Sequence, residues 1–226
     1  MVRIGVLREK PLHASLKQWY FRDGDGVEVQ VDGFVIDLVR DGLLIEVQTR
    51  GFSSLKAKLK ALLELGHRIR IVHSIPIDRW IVRVDADGTV LGRRRSPRHG
   101  IPVDVFAELV NVADLLASPQ LEIEVVLTTE EEYRFHTPGR SWRRRGWTVL
   151  ERRLIEVVDS LRLDQASDLV ALLPAALPEI FTTADVAGLL GRPMRIAQQM
   201  AYCLRKVEAI EVVGKHRNAI AYRRIT

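Results

Sequence analysis

The sequence predicts a mixed α/β protein: a sheet flanked by helices, followed by a smaller α+β segment that closes on a hairpin. Three observations carry this. Helical and strand-like runs follow the order helix, strand, strand, strand, helix, strand over residues 11–73. The pair Asp41-Gly42 separates two strand-like runs, a strong signal for a two-residue hairpin. Beyond residue 164, short helical runs give way to two strand-like runs around Gly214. The expected division is residues 1–134 for the sheet domain, 135–163 for a basic linker and connecting helix, and 164–226 for the C-terminal domain.

Each element has a local reason. Residues 2–7 read as a strand. Pro11 suits the first turn of a helix reaching Phe21, with Leu12, Leu16, Trp19 and Tyr20 on one face. Asp23-Gly24-Asp25-Gly26 is turn chemistry, because the later ligands of a calcium loop are missing. Strands follow over residues 27–31, 34–40 and 43–49. A helix over 53–65 starts at Ser53 or Ser54 and stops at Gly66, and a strand covers 68–73. Residues 80–84 and 89–93 form a hairpin turning at Asp87-Gly88. Residues 103–116 are helical, 121–127 a strand, and 128–134 close this half. Residues 135–147 read as a basic linker and 148–163 as an amphipathic helix.

The chain has 226 residues, enough for one large domain or two modest ones. No run of about 18 apolar residues exists, which argues against a membrane-spanning helix and a membrane partner. Residues 1–10 lack the apolar centre of a signal peptide. One cysteine, Cys203, excludes an intrachain disulfide and a cysteine-rich zinc site, and a reducing, cytoplasmic setting is expected. Through residue 134, 19 Lys and Arg stand against 20 Asp and Glu; beyond it, 15 stand against 9. The positive excess therefore belongs to the C-terminal part and favours a polyanionic partner, against a solubilising surface as the plain alternative.

The strongest chemical signal lies in the hairpin Phe34–Arg40, Asp41-Gly42, Leu43–Gln48. The tight turn pairs Arg40 with Leu43, Val39 with Leu44, Leu38 with Ile45 and Asp37 with Glu46, which sets two carboxylates about 5 Å apart at Cβ. Apolar flanks imply cover on both faces. Opposed buried carboxylates repel, so a raised pKa or a bound divalent cation must compensate. Oxygen donors suit Mg²⁺ or Mn²⁺. Gln48 lies two residues after Glu46, on the same face.

Asp37, Glu46 and Gln48 resemble the Asp…Glu-x-Lys signature of the PD-(D/E)XK, or restriction-endonuclease-like, nuclease superfamily. The element order of residues 10–75 is similar to that superfamily's core. The resemblance implies metal-dependent phosphodiester hydrolysis, with Asp37 and Glu46 holding the metal and the third residue assisting catalysis. Gln48 departs from the Lys of the pattern, which removes a cation from the site. His13, on the preceding helix, is a candidate metal ligand, and Lys17, one turn on, a candidate catalytic cation; a surface role is the alternative for His13. Lys56 and Lys60 share a helix face, and Glu9 is a weak candidate.

Residues 168–173 read as a helix ended by Pro174, and 184–190 as a helix capped by Thr182 or Thr183, with Asp185 in its first turn. A third helix runs from Pro193 to about Val207. Strands over 210–213 and 219–223 surround a basic turn. This order resembles a winged helix-turn-helix. Ile196, Met200, Cys203, Leu204 and Val207 should form core. Arg195, Gln198, Gln199, Tyr202, Arg205 and Lys206 should face DNA, with Lys215, His216 and Arg217 at the wing tip. Arg143, Arg144 and Arg145, interleaved with Trp142 and Trp147, suit stacking and phosphate contact; pinning of a linker is the even alternative. Arg93–Arg95 and Arg98 read as a solvated basic loop.

The function expected is thus a Mg²⁺- or Mn²⁺-dependent deoxyribonuclease targeted by a winged helix, in repair, recombination or defence. The substrate is left open among double-stranded, single-stranded and branched DNA, and the assembly between monomer and homodimer. The alternatives are a catalytically inactive nuclease-like DNA-binding or assembly factor, a transcriptional regulator acting through its C-terminus, and a winged helix that binds protein rather than DNA.

Overall fold

A computed structural model describes residues 10–137, 139 and 146–225. The expected strand over residues 2–7, Glu9, Trp142, Arg143, Arg144 and Arg145 lie outside the described residues. The architecture is mixed α/β, a large mixed sheet with helices on both faces and a small three-stranded sheet at the C-terminus.

Helix α1 (Pro11–Tyr20) leads into a meander of β1 (Gly26–Val31), β2 (Phe34–Arg40) and β3 (Leu43–Gln48). Asp41 and Gly42 both take positive φ, as a primed two-residue turn requires, and Arg40, Val39 and Leu38 pair with Leu43, Leu44 and Ile45. Helix α2 (Lys56–Glu64) crosses back so that β4 (Arg68–Val84) runs parallel to β3. Neither Ser53 nor Ser54 caps α2; both lie in a short 3₁₀ turn before it. β5 (Val90–Arg95) pairs with the far end of β4, so Arg93–Arg95 belong to a strand rather than a loop. Two 3₁₀ turns flank the short α3 (Phe106–Leu109), in place of the continuous helix expected over 103–116. β6 (Leu121–His136) is parallel to β4, and β7 (Trp147–Leu163) is antiparallel to β6. The sheet order is β1-β2-β3-β4-β6-β7, with β5 beside β4 past the end of β3.

β7 corrects the sequence reading, which expects a helix over 148–163. The pairing with β6 slips three times, passing over Val158, Ile155 and Leu150. Each skipped residue is a bulge, and all three are exposed. The bulges interrupt the period of two, so the apolar spacing imitates a helical one. β6 and β7 are thus antiparallel neighbours up to His136 and Trp147, and residues 148–163 are strand rather than helix; most of the expected linker lies outside the described residues.

The C-terminal part holds α4 (Ala166–Ala171), β8 (Ile180–Thr182), α5 (Thr183–Leu190), α6 (Met194–Lys206), β9 (Ile210–His216) and β10 (Ala219–Arg224). Thr182 caps α5 through the Asp185 N–H, and the Asp185 carboxylate returns the bond to the Thr182 N–H at 2.7 Å. Gly191 ends α5 in the left-handed region at φ 60°. Met200, Cys203 and Leu204 are buried as expected, while Ile196 and Val207 are half-buried. Burial pushes the Cys203 thiol up to about 12, so it serves packing.

Two apolar clusters sandwich the large sheet. One joins Leu12, Leu16 and Tyr20 of α1 to Leu38, Ile45, Val47, Val72 and Val126. The other joins α2 and α3 to the opposite face and runs on without interruption to Met200, Cys203 and Leu204 of α6. Leu16 is completely buried. Leu16→Ala should lower the unfolding free energy by about 2–5 kcal/mol, read as a fall in the denaturation midpoint at unchanged slope.

Candidate functional site

β2 leaves β3 after Leu38, and the site lies in the fork. The regular pairing ends at Leu38 and Ile45, one step before the expected pair of Asp37 and Glu46. Ile36 and Leu38, two residues apart, pack into opposite clusters, so the strand turns over at Asp37. The Asp37 carboxylate enters the gap, where it accepts the Val47 N–H at 2.9 Å and the His13 Nε2–H at 3.2 Å.

Glu46 is buried and faces α2, where Lys58 donates to its Oε1 at 2.5 Å and to the Val35 carbonyl at 2.5 Å. The two acids thus meet at the fork without sharing one face. Asp37 reaches toward α1 and Glu46 toward α2, and each finds a basic side chain. These basic partners relieve part of the repulsion that the sequence reading assigns to a metal or a raised pKa.

Their titrations are pushed in opposite directions. Burial alone would raise Asp37, but the bonds from His13 and Val47 and the charges of His13 and Lys17 outweigh it and hold the carboxyl below the usual aspartate range. Burial raises Glu46; Lys58 offsets part of this, and the nearby charge of Asp37 adds to it.

The other expected residues divide. Lys17 is buried beside the site and donates to Glu28 Oε1 at 2.8 Å. The Gln48 amide turns to the loop before α2, 3.3 Å from the Gly51 carbonyl. His13, Asp37 and Glu46 do not gather into one set, and among the described residues no three His, Cys, Asp or Glu side chains converge as a metal site. Lys56 lies 3.5 Å from Asp114 and Lys60 3.7 Å from Glu64, as surface pairs. Asp25 accepts the Arg22 N–H at 2.9 Å within its turn and is also bound by Arg40.

Lys58 is the residue that sequence reasoning missed. It shares a helix face with Leu55 and Leu62, at i−3 and i+4, and a lysine on an apolar face is a readable signal.

On α6, Arg195, Gln198, Tyr202 and Arg205 are exposed as expected. Gln199 is instead buried, on the side of α6 that packs inward with Met200 and Cys203. Lys206 pairs with Asp114 Oδ1 at 2.7 Å, so its charge is engaged by the sheet part. Lys215, His216 and Arg217 are exposed at the turn between β9 and β10, with Arg217 at φ 55°. Trp147 starts β7 under the Arg83 guanidinium, 4.6 Å from its ring centre.

Fold and fork together define a mixed α/β protein with an acidic pair set among lysine and histidine. The family model described as "Domain of unknown function (DUF8091)" matches residues 10–164, and the chain belongs to that family. The match ends one residue past β7. An "Uncharacterized protein" of Treponema pallidum (strain Nichols) is 33% identical over 186 residues, covering 81% of this chain and 73% of that protein. No solved structure matches. Among the described residues no helix is long and apolar enough to cross a membrane.

The opposed titrations make two predictions of sign. Asp37 stabilises the fold above its unfolded pKa near 3.8, and this is lost as pH falls through its lowered folded value. Glu46 binds its proton more tightly when folded, so its contribution is present below 4.5 and lost as pH rises through the raised value. Lys58→Met, which leaves Glu46 buried without its cation, should cost about 3–5 kcal/mol at pH 7 and progressively less as acid protonates Glu46. Urea titrations from pH 3 to 7 read both slopes, and a pH-independent loss would reject the Glu46–Lys58 account.

Proposed function

We propose that this protein is a divalent-metal-dependent deoxyribonuclease with its centre at the β2–β3 fork and a winged-helix-like C-terminal part that contacts DNA. The observation that carries the reading is the meeting of Asp37 and Glu46 where β2 and β3 part, ringed by His13, Lys17 and Lys58. The element order supports it: an antiparallel meander, a crossover helix and a parallel fourth strand agree with the restriction-endonuclease-like core. The C-terminal order of helices and hairpin agrees with a winged helix.

Carboxylate oxygens are hard donors of the kind Mg²⁺ or Mn²⁺ takes, but as the side chains stand Asp37 turns to α1 and Glu46 to α2, and they do not form one donor set. Asp37 and Glu46 would share an ion only with Glu46 released from Lys58 and turned toward Asp37; an ion held there would supply Lewis-acid stabilisation of phosphate charge and an activated water. Val47 N–H and His13 fix the Asp37 carboxylate in the fork. Lys58 provides the positive charge that the pattern places at position 48, which here is Gln48. Lys17 adds a second cation on the α1 side.

A second reading rests on one observation: Glu46 is already satisfied by Lys58, and Gln48 by its own loop. It describes an inactive nuclease-like fold acting as a DNA-binding or assembly factor.

Nicking of plasmid, single-stranded and branched DNA in Mn²⁺ separates the two. Asp37→Asn and Glu46→Gln should each reduce cleavage at least about 100-fold, and Lys58→Ala at least about 10-fold, with Gln48→Ala nearer wild type. Cleavage that survives Asp37→Asn rejects this centre; wild-type protein that binds DNA but cleaves none of these substrates establishes the second reading.

A further inference from the structure

β4 is bordered by β3 only through His73 and by β5 only from Trp80. Between them its edge is left to the loop over residues 96–100, which touches it through Ser96 N–H to the Arg79 carbonyl and Gly100 N–H to the Pro76 carbonyl. This notch opens at the end of β3, one step from Gln48, whose carbonyl lies 2.6 Å from His73 Nδ1. The start of α6 closes its far side, since Arg192 reaches the His99 carbonyl at 2.8 Å and Asp104 Oδ2 at 2.9 Å. The result is a cleft of about 770 Å³ between the sheet and the C-terminal part.

Three guanidinium groups line it: Arg79, Arg98 and Arg192. Of the two acids in its wall, Asp104 is held by Arg192 and the Ile101 N–H, and Glu108 by the Phe52 N–H. Arg98 is exposed and has no acid partner among the described residues. Arg79 is turned to Glu130 and Glu132, 3.6 and 3.5 Å away, and Arg192 to Asp104, and each also keeps an enclosed Nε–H without a hydrogen-bond partner. Of the three, Arg98 is the guanidinium exposed to meet a planar or tetrahedral oxyanion, with the positive charges of Arg79 and Arg192 behind it. Beyond Arg192 the exposed side of α6 continues the surface with Arg195 and Gln198.

We propose that this cleft seats the phosphodiester backbone of the nucleic-acid strand that reaches the β2–β3 fork, with Arg98 as its principal free contact. The inference rests on the nuclease reading above and gives that site its substrate path. The docking of α6 on the sheet then has a consequence, because it makes one groove from two parts.

The test is binding of a fluorescein-labelled single-stranded oligonucleotide to the full chain in EDTA, so that cleavage plays no part. Arg98→Glu should weaken binding at least about tenfold and flatten the salt dependence by about one phosphate contact. Arg22→Glu, the same charge change at the far α1–β1 turn, should stay within about twofold. Unchanged melting temperatures exclude misfolding. Equal effects of the two variants, no effect of Arg98→Glu, or no binding by wild type overturns the proposal. Displacement of the oligonucleotide by equimolar inorganic phosphate or a mononucleotide also overturns it and assigns the cleft to a free phosphate compound. A protein that binds in this way but never cleaves sinks the nuclease reading alone; one that cleaves normally with Arg98→Glu sinks the cleft alone.

Discussion

Carboxylates enclosed in a sheet must each find a cation or a donor, and this constraint organises the molecule. Burying an ionised acid without a partner costs several kcal/mol, and that cost falls steeply once an opposite charge or hydrogen bond is supplied. Glu46 takes its partner from α2 and Asp37 from α1. β6 poses the same problem repeatedly. Glu124 accepts the Tyr20 hydroxyl, which is itself held by Arg70; Arg70 also binds Glu122. Glu132 is met by Arg134, Arg79 and Arg152, and Glu130 by Arg79 and Thr128. Helix α1 is positioned by charge as well as by apolar contact, because His13 and Tyr20 both end on acids of the sheet.

The same constraint explains what was legible. The β2–β3 hairpin was readable because a two-residue Asp-Gly turn admits one register, and Leu38, Val39 and Arg40 take it. The last pair failed because register propagates only while the ladder continues, and the Asp37 side chain ends it by taking the Val47 N–H for itself. α5 and α6 were readable from Thr182, Asp185 and Gly191, whose roles are local. The apolar face around Lys58 is readable, but its partner is not, since Glu46 lies on another element and no spacing rule links positions 46 and 58.

The long strands escaped for a different reason. β4 reads as two pieces because Pro76 and the slip beside it interrupt the pattern, yet the chain stays extended across the break by pairing with β6. β7 misled more completely. Bulges at Leu150, Ile155 and Val158 turn a period of two into an apparent helical one, and β-branched residues at positions 149, 155, 157 and 158 were the competing signal. Long-range pairing, invisible in a local window, decides such a segment.

The placing of the C-terminal part follows from the core and carries a functional consequence. One apolar cluster runs from α2 and α3 into α6, so the two parts share buried surface rather than a flexible joint. Two ion pairs at that junction, Arg192 with Asp104 and Lys206 with Asp114, fix its orientation. A helix held in this way cannot present all of its polar residues to a duplex: Gln199 is enclosed and Lys206 is neutralised. What remains, Arg195, Gln198, Tyr202 and Arg205, forms a narrower face that continues from the cleft beside β4. On the proposed reading, the C-terminal part therefore aligns a strand with the fork rather than reading sequence independently, because the cleft it closes begins where β3 ends, beside Gln48.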